Sequence, residues 1–105
     1  VPTSDSRRSP RLRLRAPAVV AFGGARHEVL AEDLGADGCR LVTSFPLLRG
    51  QAISLTVFLH EAVDALAVAG TVAWSVSTPP THRIGVSFAR GGTAERDRRV
   101  RALIA

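Results

Sequence analysis

Ile53-Ser54-Leu55-Thr56-Val57-Phe58-Leu59 alternates residue by residue, with Ile53, Leu55, Val57 and Leu59 on one side and Ser54, Thr56 and Phe58 on the other. Period two over such a length predicts a strand with one face buried. The pattern recurs on both sides of it. Downstream, Leu66, Val68, Gly70, Val72 and Trp74 share one parity, Pro79-Pro80 ends the run, and Ile84, Val86 and Phe88 form one face of a last strand. Gly70 inside that alternation predicts a bulge where a small barrel bends. Upstream, Phe45-Pro46 through Gly50 reads as a loop, Cys39 to Thr43 as a short strand, and Asp33 to Gly38 as a turn with two glycines. His27 to Glu32 reads as a strand returning from a tight Gly23-Gly24 hairpin. The strand before that hairpin is long: Leu12, Leu14, Ala16, Ala18, Val20 and Phe22 lie on one face and Arg13 and Arg15 on the other, with Pro17 at an edge or bulge.

After Gly91-Gly92 the period changes. Thr93 suits an N-cap, Glu95 the first turn, and Val100, Leu103 and Ile104 share one helical face. Several short strands with Gly/Pro turns, then one helix, predict an all-β barrel or sandwich closed by a C-terminal α-helix. That unit spans 12–105, and the polar, aperiodic residues 1–11 read as a flexible Arg-rich arm.

The 105 residues suit one domain with a modest core, and 46% hydrophobic against 22% charged residues places the chain among globular proteins. All fourteen basic residues are Arg, and the net charge is +5. Arginine forks pair bidentately with phosphate and stack on bases, so the expected partner is anionic. No apolar run approaches a membrane span, and residues 1–15 lack the apolar core of a secretory signal, which predicts a cytoplasmic domain without membrane insertion. The single cysteine, Cys39, excludes an internal disulfide and suits a reducing compartment, packed as a small hydrophobe.

Two short motifs carry the chemistry. Arg7-Arg8-Ser9-Pro10-Arg11 sets cations in the arm, and Asp33-Leu34-Gly35-Ala36-Asp37-Gly38 sets a carboxylate ahead of glycines. Read separately, the first is a solvated basic tail and the second an ordinary turn. Read together, fixed cations beside an acceptor for N–H donors are what a guanine nucleotide requires, and the glycines let a ligand approach the backbone. His27, His60 and His82 stand far apart without metal spacing, and no nucleophile elbow or phosphate-binding Gly-Lys loop is present. A binding module is expected, not an enzyme. Trp74 shares the parity of Val68 and Val72, so core packing is its first reading and a ligand border its second.

The pair Arg7-x-x-x-Arg11 and Asp33-x-Gly35-x-x-Gly38 resembles the RxxxR and (D/N)xSxxG motifs of the PilZ domain. Pro46 to Gly50 before a strand, Val72-Ala73-Trp74, and Gly85-Val86-Ser87-Phe88 before a helix are similar to that family's layout. The resemblance implies a six-stranded β-barrel that binds cyclic di-GMP, needs no cofactor, and passes the event to a downstream protein or fused domain. It implies that Arg7, Arg8 and Arg11 wrap the ligand's phosphates and guanine edge, that Asp33 accepts guanine N1–H and N2–H₂, and that Gly38 holds the turn. The ligand then orders the arm on the barrel. Position 35 departs from the pattern, with Gly where the family has Ser. A degenerate PilZ-like domain that binds no nucleotide and acts as a protein-interaction adaptor is the alternative. A nucleic-acid-binding barrel is the weaker rival, because the aromatics mostly sit at core parity and single-strand binders need exposed ones.

Overall fold

The alternating segments form strands, six of them among the described residues: β1 (Arg11–Phe22), β2 (Ala25–Gly35), β3 (Gly38–Thr43), β4 (Ala52–Leu59), β5 (Asp64–Thr78) and β6 (Thr81–Phe88). The computed structural model describes residues 11–59, 64–89, 95, 96 and 98. Residues 1–10 of the expected arm, with Arg7 and Arg8, lie outside the described residues, and its last residue, Arg11, opens β1. The expected C-terminal helix also lies outside them apart from Glu95, Arg96 and Arg98, which are helical in backbone.

All pairings are antiparallel, and the sheet closes on itself in the order β1-β2-β3-β6-β5-β4. Closure comes from β1 pairing with β4 from Ala18↔Val57 to Ala21↔Ser54, so the 44–51 loop carries the chain from β3 across to β4. Pro17 stands one residue beyond the last of these pairs, where its missing N–H leaves no gap in the β4 ladder. Gly23 and Gly24 both have positive φ (58° and 80°), the hairpin geometry that matches strand twist.

The core is the inner face of the alternation. Val20, Leu34, Leu41, Leu55, Val57, Val72 and Ile84 are fully buried, and each such aliphatic side chain contributes about 1.5–3 kcal/mol over leaving it in water. In β4 the inward residues are the expected Ile53, Leu55, Val57 and Leu59. Cys39 is a buried core residue, as expected. His27 stacks on Phe22 (5.0 Å between ring centroids) and lies 4.8 Å from Phe45, serving as packing at the barrel's rim.

Three local readings are corrected. The bulge in β5 falls at Ala73, not Gly70: Val72 pairs with Val86 and Trp74 with Gly85, leaving Ala73 as the extra residue. Gly70 is needed for close approach instead, since a Cβ there would lie 2.8 Å from Val86 Cγ1 and 3.0 Å from the Ser87 carbonyl oxygen. The segment expected as a turn from Asp33 to Gly38 is mostly strand: Asp33 and Gly35 belong to β2, Gly38 opens β3, and only Ala36-Asp37 turns. Finally, Trp74 is not a core residue, being 42% exposed, because the bulge at Ala73 reverses the parity that relates it to Val72.

Candidate functional site

Asp33 is the residue around which the site is built. Ala31 and Leu34 are both buried, so strict alternation along β2 breaks between them. The break is at Asp33, whose φ of 52° lies in the left-handed region. It faces a second irregularity, because β1 passes Arg13 and Leu14 between the pairs Leu12↔Leu34 and Arg15↔Glu32. The short polar side chains of Asp and Asn tolerate left-handed backbone better than others, which gives the motif's first position a structural reason. Regular pairing would have turned the carboxylate inward with Ala31; here it is about one-third exposed (34%).

Arg40 on β3 reaches both acids of this strand end. Its Nε donates to Glu32 Oε1 at 3.1 Å, and its Nη2 lies 3.4 Å from Asp33 Oδ2. Glu32 also accepts from Arg83 Nη1 at 3.2 Å and lies 3.9 Å from Arg15 Nε. The Arg40–Asp33 pair is partly exposed, and such pairs are worth about 1 kcal/mol or less. A ligand edge bringing two N–H donors can therefore displace the guanidinium from Asp33 at small cost.

A cleft of about 440 Å³ lies beside this pair, lined by Asp33, Asp37, Gly38, Arg40, Trp74 and Gly85 among others. The register makes it. Arg40 of β3 and Trp74 of β5 are both opposite Gly85 of β6, so the three form a row across the sheet with no side chain in the middle. The indole fills that gap: a Cβ on Gly85 would collide with Trp74 Nε1 and Cε2. Gly38 is fixed by a different contact, because a Cβ there would collide with the backbone carbonyl oxygen of Val86.

The sequence motif residues are thus partly gathered. Asp33, Gly38 and Trp74 share the cleft. Gly35 is buried and pairs with Arg11 in the β1–β2 ladder, which puts the start of β1 at the end of β2 that carries Asp33. Arg7 and Arg8 lie outside the described residues. Two residues had no part in the sequence reading. Arg40 could have been suspected from its position two residues after the last motif glycine. Arg96 could not: it is buried (6% exposed), its Nε donates to Ala36 O at 2.7 Å and its Nη2 to Ala89 O at 2.6 Å, and its guanidinium lies 5.4 Å from the Phe88 ring centroid. Phe88 N donates to Asp37 O at 2.9 Å, so both carbonyls of the Ala36-Asp37 turn are held.

The arrangement offers an acceptor carboxylate for an N–H edge, an aromatic face for a planar ring and a guanidinium for an anion or carbonyl. One check is direct. Gly85→Ala should push the indole off the sheet, giving a red-shifted emission and easier acrylamide quenching of the single tryptophan, with a stability loss of about 1 kcal/mol. Unchanged emission would mean that the indole does not rest on Gly85.

Closed antiparallel topology with this cleft on the outer face defines a small β-barrel domain carrying a ligand-sized site on its sheet rather than in its interior. A family model for the PilZ domain matches residues 5–105, and the chain belongs to that family. No curated protein sequence matches it. Among solved structures, it is similar in fold to the Bacillus subtilis inhibitor of motility MotI/DgrA, with TM-score 0.73 and 13% identity over 93% of this chain and 51% of that one. The PilZ domain of YcgR from Escherichia coli, solved with c-di-GMP, aligns with TM-score 0.70 and 14% identity over 93% and 88%. The K. pneumonia MrkH–c-di-GMP complex aligns with TM-score 0.71 and 20% identity over 93% and 50%. The chain thus spans about half the length of the MotI and MrkH chains. At these identities the likeness is one of fold.

Proposed function

We propose that this domain is a receptor for cyclic di-GMP that binds the nucleotide at the Asp33–Trp74 cleft and signals to a protein partner or fused domain. The observation that carries the reading is the left-handed backbone at Asp33, which turns a carboxylate outward beside Gly38 and an exposed indole. Regular pairing would bury that carboxylate, and the exception has an evident use in accepting guanine N1–H and N2–H₂. The indole offers a stacking face and Arg40 an additional cation. Arg11 begins β1 opposite Gly35, so the chain carrying Arg7 and Arg8 enters next to this end of β2. In the proposed mechanism those arginines close over the phosphates and guanine O6 and N7, for which their forks are suited. A receptor for a bacterial second messenger acts in the cytoplasm, and its role is binding, not catalysis.

Phe22 and Phe45 pack around His27, Phe58 is half-buried and Phe88 is buried, so Trp74 is the exposed aromatic among the described residues. One such platform suits a dinucleotide better than a long single strand, where stacking recurs along the chain. Gly35 favours the second reading, a PilZ domain acting as adaptor without nucleotide. Its missing hydroxyl forgoes one hydrogen bond, about 0.5–1.5 kcal/mol. That weakens a site without abolishing it.

Isothermal titration calorimetry with cyclic di-GMP tests the proposal. Saturable heat is expected with the intact chain, none with GTP, and at least a roughly hundredfold weaker affinity for the Arg7→Ala/Arg8→Ala/Arg11→Ala variant, since charge-assisted hydrogen bonds contribute about 1.5–3 kcal/mol each. Absence of heat with the intact, folded chain would overturn the receptor reading and leave the adaptor.

A further inference from the structure

We propose that the free edge of β5 from Trp74 to Thr78, with the facing Pro46–Arg49 loop, takes an extended acidic segment of a partner protein as an added strand. β4 pairs with β5 only between Ala52↔Thr71 and Leu59↔Asp64. The last backbone bonds on that side join Val72 to Gly50 and Gln51, at 2.7 and 2.9 Å. Beyond Val72, β5 runs on through Thr78 paired with β6 alone. Its other side presents main-chain N–H and C=O groups with no strand against them among the described residues. Exposed edges are usually blunted by charge, proline or a covering element. Trp74-Ser75-Val76-Ser77-Thr78 has neither charge nor proline.

The exposed large hydrophobics among the described residues gather here: Leu48 at 74%, Trp74 at 42% and Val76 at 51%. Leu48 and Trp74 line one groove of about 690 Å³ together with Arg49, Ser75, Ser77 and His82. Its loop wall is preformed. Gln51 N donates to Leu48 O at 3.0 Å, Leu48 N donates to Gln51 Oε1 at 3.1 Å, and Gly50 at φ 90° closes the turn. A wall already fixed loses little freedom when a partner arrives.

Charge selects the occupant. No Asp or Glu lines the groove, and Arg49 is exposed with no ion-pair partner among the described residues. A second copy of this chain, at net charge +5, would bring like charge to like. An acidic extended segment meets Arg49 and pairs its backbone with β5, while its alternate side chains rest on Leu48 and Trp74. Trp74 lines the ligand cleft as well, so the two sites share a wall; that link alone rests on the receptor reading above.

The test is an amide NMR titration of the whole chain, without nucleotide, with a short capped peptide alternating valine with aspartate and threonine. Shifts and slowed amide exchange are expected at Trp74–Thr78 and at Leu48–Arg49. A peptide with arginine for aspartate should bind about tenfold more weakly. Ser75→Pro, which removes an N–H that faces the free edge, should abolish the response, and Val76→Lys, which leaves the edge-facing donors in place but adds an edge-blocking charge, should weaken it several-fold if the proline variant fails to fold. Shifts that map elsewhere, equal binding of both peptides, or edge shifts that depend only on the domain's own concentration would each overturn the proposal, the last in favour of self-pairing. Peptide binding does not require cyclic di-GMP, so its failure is distinguishable from failure of the receptor reading.

Discussion

Gly38→Ala is expected to lower the stability of the domain by about 3 kcal/mol, at the upper end of what overpacking costs. The added Cβ would fall on the Val86 carbonyl oxygen, with Val86 C at 3.4 Å and Ser87 Cα at 3.7 Å behind it. All three are backbone atoms of β6, so no side chain can swing away. Relief requires β3 to move off β6, which loosens the Gly38↔Ser87 pair and the bond from Phe88 N to Asp37 O. For a domain of this length 1 kcal/mol corresponds to about 4–8 °C, so the melting temperature should fall by about 15 °C. Gly23→Ala is the control, because nothing lies within 4 Å of its Cβ and only its positive φ is strained. It should cost about 1 kcal/mol. Equal melting of the two variants would mean that β3 slides past Val86 without cost. Because Gly38 also lines the cleft, the same variant should lose nucleotide binding under the proposed function.

This contrast explains what could be read from the sequence. Period two marks β1, β4, β5 and β6, since a one-sided core leaves no other way to bury Ile53, Leu55, Val57 and Leu59 together. The two motifs were legible as residue types but not as geometry. Asp and Gly in succession read as a turn, yet Asp33 and Gly35 both lie within β2, and it is the left-handed φ at Asp33 that exposes the carboxylate. A φ value is fixed by what β1 does opposite, which lies some twenty residues upstream. Trp74 was misjudged for a related reason. Its parity with Val72 is unbroken in the sequence, and the inserted Ala73 becomes visible only when β6 supplies Val86 and Gly85 as partners. Bulges are properties of a pair of strands, so one strand's pattern cannot reveal them.

The same reasoning gives the cleft its character. Arg40, Gly85 and Trp74 come from three strands and form a row only through register. Arg40 bridges Glu32 and Asp33, so one cation compensates the acids while Asp33 remains addressable. Glu32 is the less exposed of the two and is met by three arginines, whereas Asp33 lies nearer the rim; under the proposed function it is Asp33 that meets the ligand.

Arg96→Met should cost about 3 kcal/mol as well, by removing donors instead of adding bulk. Methionine keeps most of the apolar stem, so the loss isolates the guanidinium. Two carbonyls, of Ala36 and Ala89, lose their charged donor, and Ala36 is fully buried. Hydrogen bonds to charged groups contribute about 1.5–3 kcal/mol, and a buried acceptor left unmet adds its own desolvation cost. Arg96→Lys should recover less than half, because an ammonium is a point charge without the planar fork that now spans both oxygens. Urea unfolding of the three proteins measures this, and a Met variant as stable as the parent would show that water satisfies the two carbonyls. A second consequence concerns the site. Ala36 belongs to the turn between Asp33 and Gly38, so Arg96 is a positioning residue for it, joined across sixty positions of sequence. Under the proposed function, and measured well below the melting temperature, where each variant is folded, cyclic di-GMP affinity should fall about tenfold in Arg96→Met, the weight of one hydrogen bond's worth of lost order in the turn. A purely structural Arg96 would leave that affinity unchanged in the folded fraction, whereas an Arg96 that holds the recognition turn lowers both stability and affinity.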